Sequence, residues 1–287
     1  MRMTINDQTN IQDATLLESL TRYSEIRERI NKCQDDEIII DLSRIKFAFP
    51  LFLNLLLLLR DKNKKVRFQG KTTYLDAIYY PDAISVDALM ENNAKKTYIP
   101  LLSGNPQDEN ESSGNVTAKI VELICRSVSI PKQVVSGVRY MLQEIIDNVG
   151  EHSLASSFYV LAQAYPKKSL VDICIADNGN GLRQSYRRAG LDVRTDLQAM
   201  KMMASAISSK DRPENESRGY GLFTSRKMTT EGLEGEFVMM SGKAVYAKIR
   251  NEEYLIDAPF MNTDGTAVAI RLRYDNEKFN MYNYLEY

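Results

Sequence analysis

A polar segment divides the 287-residue chain into two unequal parts. Residues 102–115 read Leu-Ser-Gly-Asn-Pro-Gln-Asp-Glu-Asn-Glu-Ser-Ser-Gly-Asn, with no apolar side chain after Leu102. Such a stretch buries too little apolar surface to offset the entropy lost when it becomes ordered, and it usually separates folding units. We therefore predict an N-terminal domain over residues 1–102, a linker over residues 103–116 and a second domain over residues 117–287.

The part before this segment alternates between helical and strand patterns, which predicts an open α/β layer. The run Glu37–Leu42 is centred on three isoleucines, as is typical of a buried central strand. Pro50 suits the first position of an apolar helix over Leu51–Arg60. The other predicted elements are a helix over residues 14–32, a strand over Lys65–Gln69 and a helix over Tyr74–Tyr80.

This N-terminal part resembles the STAS domain, the fold of the anti-sigma-factor antagonists. The resemblance depends on the motif Ile40-Asp-Leu-Ser43, on Phe47, on the leucine-rich helix and on the strand Val66-Arg-Phe68. Antagonists carry a phosphorylatable serine at the start of that helix, whereas this chain has Phe47-Ala-Phe-Pro-Leu-Phe52 there. The resemblance therefore implies a STAS-like α/β fold without that phosphorylation switch.

The first motif after the polar segment pairs an acid with an amide. Glu144 and Asn148 are four residues apart in a helix that Pro131 begins, so they share one helical face. The amide oxygen can ligate Mg²⁺, and the carboxylate can polarise a water molecule. The same spacing also describes an exposed polar stripe on an amphipathic helix.

The second motif is a strand that ends at Asp177 and is followed by Gly179 and Gly181. Glycine lets the backbone approach a flat ligand closely, and a carboxylate at a strand end can accept a hydrogen bond from the exocyclic amine of adenine. The alternative for this segment is an ordinary Asn-Gly hairpin turn.

Two further motifs complete the series. Gly219 and Gly221 precede a helix that contains Leu222, and free N–H groups at a helix start can bind an anion, although a plain glycine turn has the same pattern. Asp264-Gly-Thr266 then leads into a terminal strand.

Taken in order, the four motifs resemble the GHKL (Bergerat-fold) superfamily over residues 117–273. This superfamily includes the ATP-binding domains of gyrase, heat-shock chaperones, mismatch-repair ATPases, histidine kinases and anti-sigma kinases. The resemblance implies an α/β sandwich that binds ATP and Mg²⁺. It implies that Asn148 ligates Mg²⁺, that Glu144 is the general base and that Asp177 binds the adenine amino group.

The resemblance also implies roles for the remaining motif residues. Gly179 and Gly181 would make room for the base, and Thr266 would support the adenine end. Gly219, Gly221 and Leu222 would lie at the phosphates, at the hinge of a lid over residues 182–218. His152 would be a structural or phosphate-side residue.

The lid departs from the family pattern, because Ser217 and Arg218 stand where another glycine often precedes Gly219. The segment over residues 208–218 is highly polar and is expected to be mobile without nucleotide. Its cations Lys210, Arg212 and Arg218 could each reach a γ-phosphate as point charges, or could be solvated.

Composition excludes several classes of function. With 37 basic and 38 acidic residues, the chain lacks the bulk charge of a duplex-binding face, so nucleic acid is not an expected partner. One histidine excludes a multi-histidine metal site. The N-terminus has no apolar signal segment, and the apolar run Leu51–Leu59 is too short to span a bilayer, so we expect a cytoplasmic protein.

Three functions fit this pattern. The first is an Mg-ATP-binding regulatory switch with slow ATPase activity, and the second is a serine/threonine kinase of the anti-sigma type that acts on a separate STAS-like partner. The third uses ATP only as a structural ligand. A histidine kinase is disfavoured because the single histidine lies inside the nucleotide motif, and a gyrase-like machine because little sequence follows Leu272. The oligomeric state stays open, with a homodimer among the alternatives.

Overall fold

The computed structural model describes residues 1–5, 15–85, 88, 96–108, 113–205 and 221–285, apart from the side chains of His152 and Asp264. Within these residues the chain is a mixed α/β fold with a three-stranded and an eight-stranded sheet. The elements of the N-terminal part are β1 (Arg2–Thr4), α1 (Leu17–Asn31), β2 (Ile38–Asp41), α2 (Pro50–Lys62), β3 (Val66–Gln69), α3 (Thr73–Ala77), β4 (Ile84–Ser85) and β5 (Tyr98–Gly104). They are followed by α4 (Ser113–Ser127), α5 (Lys132–His152), β6 (Phe158–Tyr165), β7 (Leu170–Asp177), α6 (Gly181–Arg188), α7 (Asp196–Ala204), α8 (Gly221–Lys227), β8 (Glu236–Gly242), β9 (Ala244–Ile249), β10 (Glu252–Asp257) and β11 (Thr263–Arg273).

The eight-stranded sheet has the order β10-β9-β8-β11-β7-β6-β5-β4, and its pairs are antiparallel except β4 with β5. Successive side chains of a strand point to opposite faces. In β7, Ile173 and Ile175 belong to the core beneath the helices α4, α5 and α8, whereas Cys174 and Ala176 belong to the core on the other face. Because both faces are covered, β7 is buried along nearly its whole length.

Helix α2 covers the second face of the sheet. Every residue from Pro50 to Leu59 is buried, as expected of a helix that is apolar all round. The helix contacts β6, β7 and β11 on one side and β3 on the other. The amide of its one polar core residue, Asn54, donates to the carbonyl oxygen of Cys174 at 3.1 Å. The helix α2 thus joins the parallel sheet β1-β2-β3 to the large sheet.

A buried ion pair lies on the same face. Arg271 on β11 donates from Nε to Oδ1 of Asp172 on β7 at 2.7 Å, and its Nη1 lies 3.7 Å from Glu236. Glu236 also accepts a hydrogen bond from the backbone N–H of Leu16, at the start of α1. This network therefore connects three parts of the chain that are distant in sequence.

The polar segment does not have the predicted bounds. β5 runs to Gly104 and pairs with β6 in the large sheet, and α4 begins at Ser113. The predicted linker over 103–116 therefore begins inside a strand and ends inside a helix. The reason is that Ile99, Leu101 and Leu102 supply buried apolar side chains to the sheet, which composition alone did not reveal. That residues 1–102 form a domain of their own stays a prediction.

Most predicted elements are confirmed. The helix that Pro50 begins, the strand that ends at Asp177 and the long helix after Pro131 are present with bounds close to the predicted ones. Among the described residues, no helix combines the length and the hydropathy needed to cross a bilayer.

Candidate functional site

Asp177 lies at the end of the central strand β7 and is only 3 % exposed. Its Oδ1 accepts a hydrogen bond from the backbone N–H of Gly179 at 2.8 Å. Burial raises the pKa of Asp177 to about 7, although the Gly179 N–H, the positive charge of Lys62 and the Ser153 side chain oppose the shift. A buried carboxyl group with this pKa is a candidate functional group by physical criteria.

Backbone without side chains surrounds this carboxyl group. A Cβ at position 179 would overlap the carbonyl oxygen of Ser153, and a Cβ at position 265 would overlap that of Asp177. Gly181 has a φ of +74° and lies against the Ser241 hydroxyl. Glycine is required at these positions because the chains approach too closely for a side chain.

Thr266 lies beside Asp177, because the two residues are directly paired across β11 and β7. The Thr266 hydroxyl is 3.3 Å from the hydroxyl of Ser241, and Ser241 in turn accepts from the N–H of Leu182 at 2.9 Å. The structure thus brings the predicted residues Asp177, Gly179, Gly181 and Thr266 together at one end of the sheet.

Glu144 and Asn148 lie on α5, and both are partly buried. The amide nitrogen of Asn148 donates to the carbonyl oxygen of Glu144 at 2.5 Å, which leaves the amide oxygen to act as an acceptor or metal ligand. The donor atoms that this face offers are an amide oxygen and a carboxylate. A hard cation such as Mg²⁺ prefers such oxygen ligands, so these residues fit the ion.

Helix α8 begins against the Glu144 carboxylate. A Cβ on Gly221, the first residue of α8, would overlap Oε2 of Glu144. Leu222 is partly buried and packs on the core beneath the helices. The structure therefore brings Gly221 and Glu144 together, although they are distant in sequence.

The end of α5 links the residues around Asp177 to the residues around Glu144. Ser153 caps this helix, and its carbonyl oxygen accepts from the N–H of Asn180 at 2.7 Å, in the loop that follows Asp177. Asn148 precedes Ser153 by five residues, which is about 7.5 Å along a helix. The acid and amide on α5 therefore lie at the end of the helix that reaches the Asp177 loop.

Two of the structural alternatives for these motifs, the hairpin turn and the exposed stripe, are wrong. Residues 178–180 do not form a hairpin turn, because β7 is followed by α6. Glu144 and Asn148 do not form an exposed stripe, because they are partly buried and Glu144 contacts α8.

Some predicted site residues lie outside the described part of the chain. These are Gly219 and the lid cations Lys210, Arg212 and Arg218, together with the side chain of His152. The described part of the predicted lid, residues 182–205, contains α6 from its second residue and the whole of α7.

The sequence reasoning missed several residues that the structure adds to the site. Ser153, Ser241 and Gly265 were missed because they meet Asp177 or its neighbours only through the folded sheet. Tyr140 was missed although its spacing of four residues before Glu144 places both on one face of α5. Burial, and then the negative charge of Glu144, raises the pKa of the Tyr140 phenol to about 12.

Comparison with protein-family models finds no match. Comparison with curated proteins finds none either. Among solved structures, the chain is similar to the histidine kinase domain of a blue-light-activated histidine kinase from Erythrobacter litoralis. The TM-score is 0.30, with 14 % identity, over 67 % of this chain and 76 % of the other.

Proposed function

We propose that this chain is a GHKL-type protein that binds Mg-ATP, hydrolyses it slowly and uses it as a regulatory switch. One observation carries the proposal. Described residues of all four motifs lie around the C-terminal half of α5 and the adjoining end of the sheet, among them Glu144, Asp177, Gly221 and Thr266. A buried acceptor, a glycine-rich backbone loop and an oxygen-donor pair are groups that can bind an adenine nucleotide with its metal ion.

In this proposal Asp177 accepts a hydrogen bond from the adenine amino group. Gly179 and Gly181 let the loop after β7 pack closely beside Asp177, because a Cβ at either position would meet Ser153 or Ser241. Thr266 adds a hydroxyl beside Asp177. Because an amine donates best to an ionised carboxylate, nucleotide binding favours the deprotonated form of Asp177.

The phosphate end involves α5 and α8. The Asn148 amide oxygen would hold Mg²⁺, which, when bound, neutralises charge on the phosphates. Glu144 would take a proton from the attacking oxygen while that oxygen bonds to the γ-phosphorus. The bond from the γ-phosphorus to the bridging oxygen then breaks, and ADP leaves.

A protein kinase is the second candidate. The N-terminal part resembles a STAS domain but has no hydroxyl in Phe47-Ala-Phe-Pro-Leu-Phe52, so an acceptor of the antagonist type would have to be a separate protein. The attacking oxygen would then be a serine or threonine hydroxyl of that partner, and Glu144 would have the same role.

The test uses ATP labelled at the γ-phosphate and the full chain. Free labelled phosphate supports the ATPase, and label transferred to an added STAS protein supports the kinase. Binding without either product would leave ATP as a structural ligand and overturn the proposed turnover.

The matched variants are Glu144→Gln and Glu122→Gln, where Glu122 pairs with Arg126 on the exposed face of α4. Removal of a general base typically costs about 10²–10⁴-fold in rate. We expect this loss for Glu144→Gln with ATP affinity retained, and unchanged turnover for Glu122→Gln. Equal turnover in both variants would exclude Glu144 as the base.

A further inference from the structure

A cluster of three polar side chains, none of which has a role in the proposed nucleotide site, joins the start of α4 to α5. The hydroxyl of Ser113, the first residue of α4, donates to Oδ1 of Asp147 at 2.5 Å. The Nε2 of Gln143, one turn before Asp147 on α5, lies 2.7 Å from the Ser113 hydroxyl oxygen and 3.0 and 3.1 Å from the two carboxylate oxygens. All three residues are only partly buried, so the cluster retains access to solvent.

These three groups have the arrangement of an activated nucleophile. A hydroxyl becomes nucleophilic when a base within hydrogen-bonding distance takes its proton, and a third group orients that base. Here the Asp147 carboxylate accepts from Ser113, and the Gln143 amide holds both carboxylate oxygens. Gln143 occupies one of the two lone pairs of the Ser113 oxygen, which leaves the second to attack. An aspartate that accepts the proton of a hydroxyl has the same role in protein kinases.

Ser127, at the other end of α4, differs from Ser113 in its acceptor. Its hydroxyl donates to the carbonyl oxygen of Leu123, one turn earlier in the same helix, at 2.9 Å. This is the usual contact of a serine within a helix, and a peptide carbonyl does not take up a proton at neutral pH. The carboxylate acceptor therefore distinguishes Ser113 chemically, and Ser127 serves as its matched control.

The cluster lies beside the proposed phosphate end of the site. Asp147 directly precedes Asn148, the proposed Mg²⁺ ligand, and Gln143 directly precedes Glu144. Consecutive residues of an α-helix are rotated by about 100°, so Gln143 and Asp147 occupy the face next to the one that carries Glu144 and Asn148. Ser113 is therefore one helical face away from the oxygen-donor pair.

We infer that Ser113 is a phosphate acceptor, and that ATP bound at the neighbouring face of α5 phosphorylates it within the same chain. This inference rests on the proposed function, because it requires ATP as the phosphoryl donor. In the step, the Ser113 oxygen bonds to the γ-phosphorus while its proton passes to the Asp147 carboxylate. The bond from the γ-phosphorus to the bridging oxygen breaks with its electron pair, and ADP leaves.

The phosphorylated product would alter the contact between α4 and α5. A phosphoserine carries a charge of about −1.5 to −2 at neutral pH, and a carboxylate beside it repels it. The hydrogen bond from Ser113 to Asp147 would also be lost, because the phosphorylated oxygen has no proton. Phosphorylation would therefore loosen the start of α4 from α5, next to the proposed Mg²⁺ ligand.

The first experiment incubates the full chain with Mg-ATP labelled at the γ-phosphate and locates the label by mass spectrometry of its peptides. We expect label on Ser113, none in Ser113→Ala at that position, and wild-type labelling in Ser127→Ala. The labelling rate should not depend on protein concentration, because acceptor and nucleotide lie on one molecule. Asp147→Asn keeps the shape of the acceptor but not its basicity, so labelling should slow by about 10²–10⁴-fold. The Kd of this variant for Mg-ATP reports whether it is folded.

The second experiment needs no nucleotide and measures the urea midpoint of unfolding. In the wild-type background, Asp147→Asn weakens the bond from Ser113 and should lower the midpoint. In the Ser113→Asp background, which places a negative charge against Asp147, the same change removes a repulsion and should raise the midpoint. Opposite signs in the two backgrounds would show that positions 113 and 147 are in contact, because effects of independent sites have one sign.

The outcomes separate this inference from the proposed function. Release of free phosphate without label on Ser113 would overturn the acceptor role and leave the proposed ATPase. Label on another residue, a labelling rate proportional to protein concentration, or wild-type labelling in Asp147→Asn would also overturn the inference alone. A midpoint that Asp147→Asn lowers equally in both backgrounds would overturn it without any use of ATP. Absence of ATP binding and cleavage would overturn both proposals.

Discussion

Asp177→Asn should stabilise the nucleotide-free protein, and the gain should grow with pH. The substitution keeps the shape of the side chain, and the amide oxygen can still accept from the N–H of Gly179. Ser153, which already contacts Asp177, offers a hydroxyl oxygen to the new N–H₂ group. The main change is therefore the removal of a buried ionisable group.

The sign and size of the effect follow from the pKa of Asp177, which burial raises from its ordinary value of 3.8 to about 7. Below pH 3.8 the group is protonated in both the folded and the unfolded state and contributes nothing. Between pH 3.8 and 7 the unfolded chain loses the proton while the folded chain keeps it, so the free energy of unfolding falls as pH rises. About three pH units at 1.36 kcal/mol each amount to roughly 4 kcal/mol, which is lost by pH 7 and stays lost above it.

The assay is urea unfolding followed by circular dichroism from pH 4 to pH 8, on the wild type and on the variant. The free energy of unfolding of Asp177→Asn minus that of the wild type should increase by roughly 4 kcal/mol over this range. Any constant effect of altered hydrogen bonds cancels in this comparison. Asp192→Asn, at a carboxylate that is 78 % exposed, should show no such change. A difference that is constant with pH, or that decreases, would refute the burial argument.

Three further predictions concern the site and the core. Asp177 must ionise to accept a hydrogen bond from adenine, so the affinity of the wild type for Mg-ATP should rise about tenfold from pH 6 to pH 8. Titration calorimetry would measure this change, and Asp177→Asn should bind Mg-ATP weakly at both pH values. Gly221→Ala should lower turnover at least about tenfold, because the new Cβ would overlap Oε2 of Glu144. Gly150→Ala on α5, where no atom lies near the new Cβ, should keep turnover and raise the free energy of unfolding in urea by up to about 1 kcal/mol. Arg271→Met should lower the free energy of unfolding by about 3–5 kcal/mol in the same assay, because Asp172 would remain buried without its partner. Arg273→Met, at an exposed arginine, should lower it by less than about 1 kcal/mol.

Local chemistry is sufficient to predict the strand before Asp177, the helix after Pro131 and the apolar helix after Pro50. In each case the periodicity of apolar residues and one flanking residue specify the element. The folded structure contains the same element with similar bounds. The candidate site was also predictable in part, because Glu144 and Asn148 share a helical face and the glycines follow a strand end.

The features that the sequence did not predict depend on contacts between distant segments. Ser153 reaches the Asp177 loop only because α5 packs on the sheet, and Gly265 abuts Asp177 only because β11 is paired with β7. β5 was not predicted, because its pairing with β6 in the large sheet, and not its composition, makes this segment a strand. No periodic pattern contains this information.

Helix α2 connects the N-terminal part of the chain to the candidate site. Its Asn54 holds the carbonyl oxygen of Cys174, three residues before Asp177 on the same strand. Lys62, at the last position of α2, lowers the pKa of Asp177 by its positive charge. A displacement of α2 would therefore change both the position and the ionisation of Asp177. Because such coupling is reciprocal in free energy, a ligand that alters Asp177 must bias α2 to the same extent.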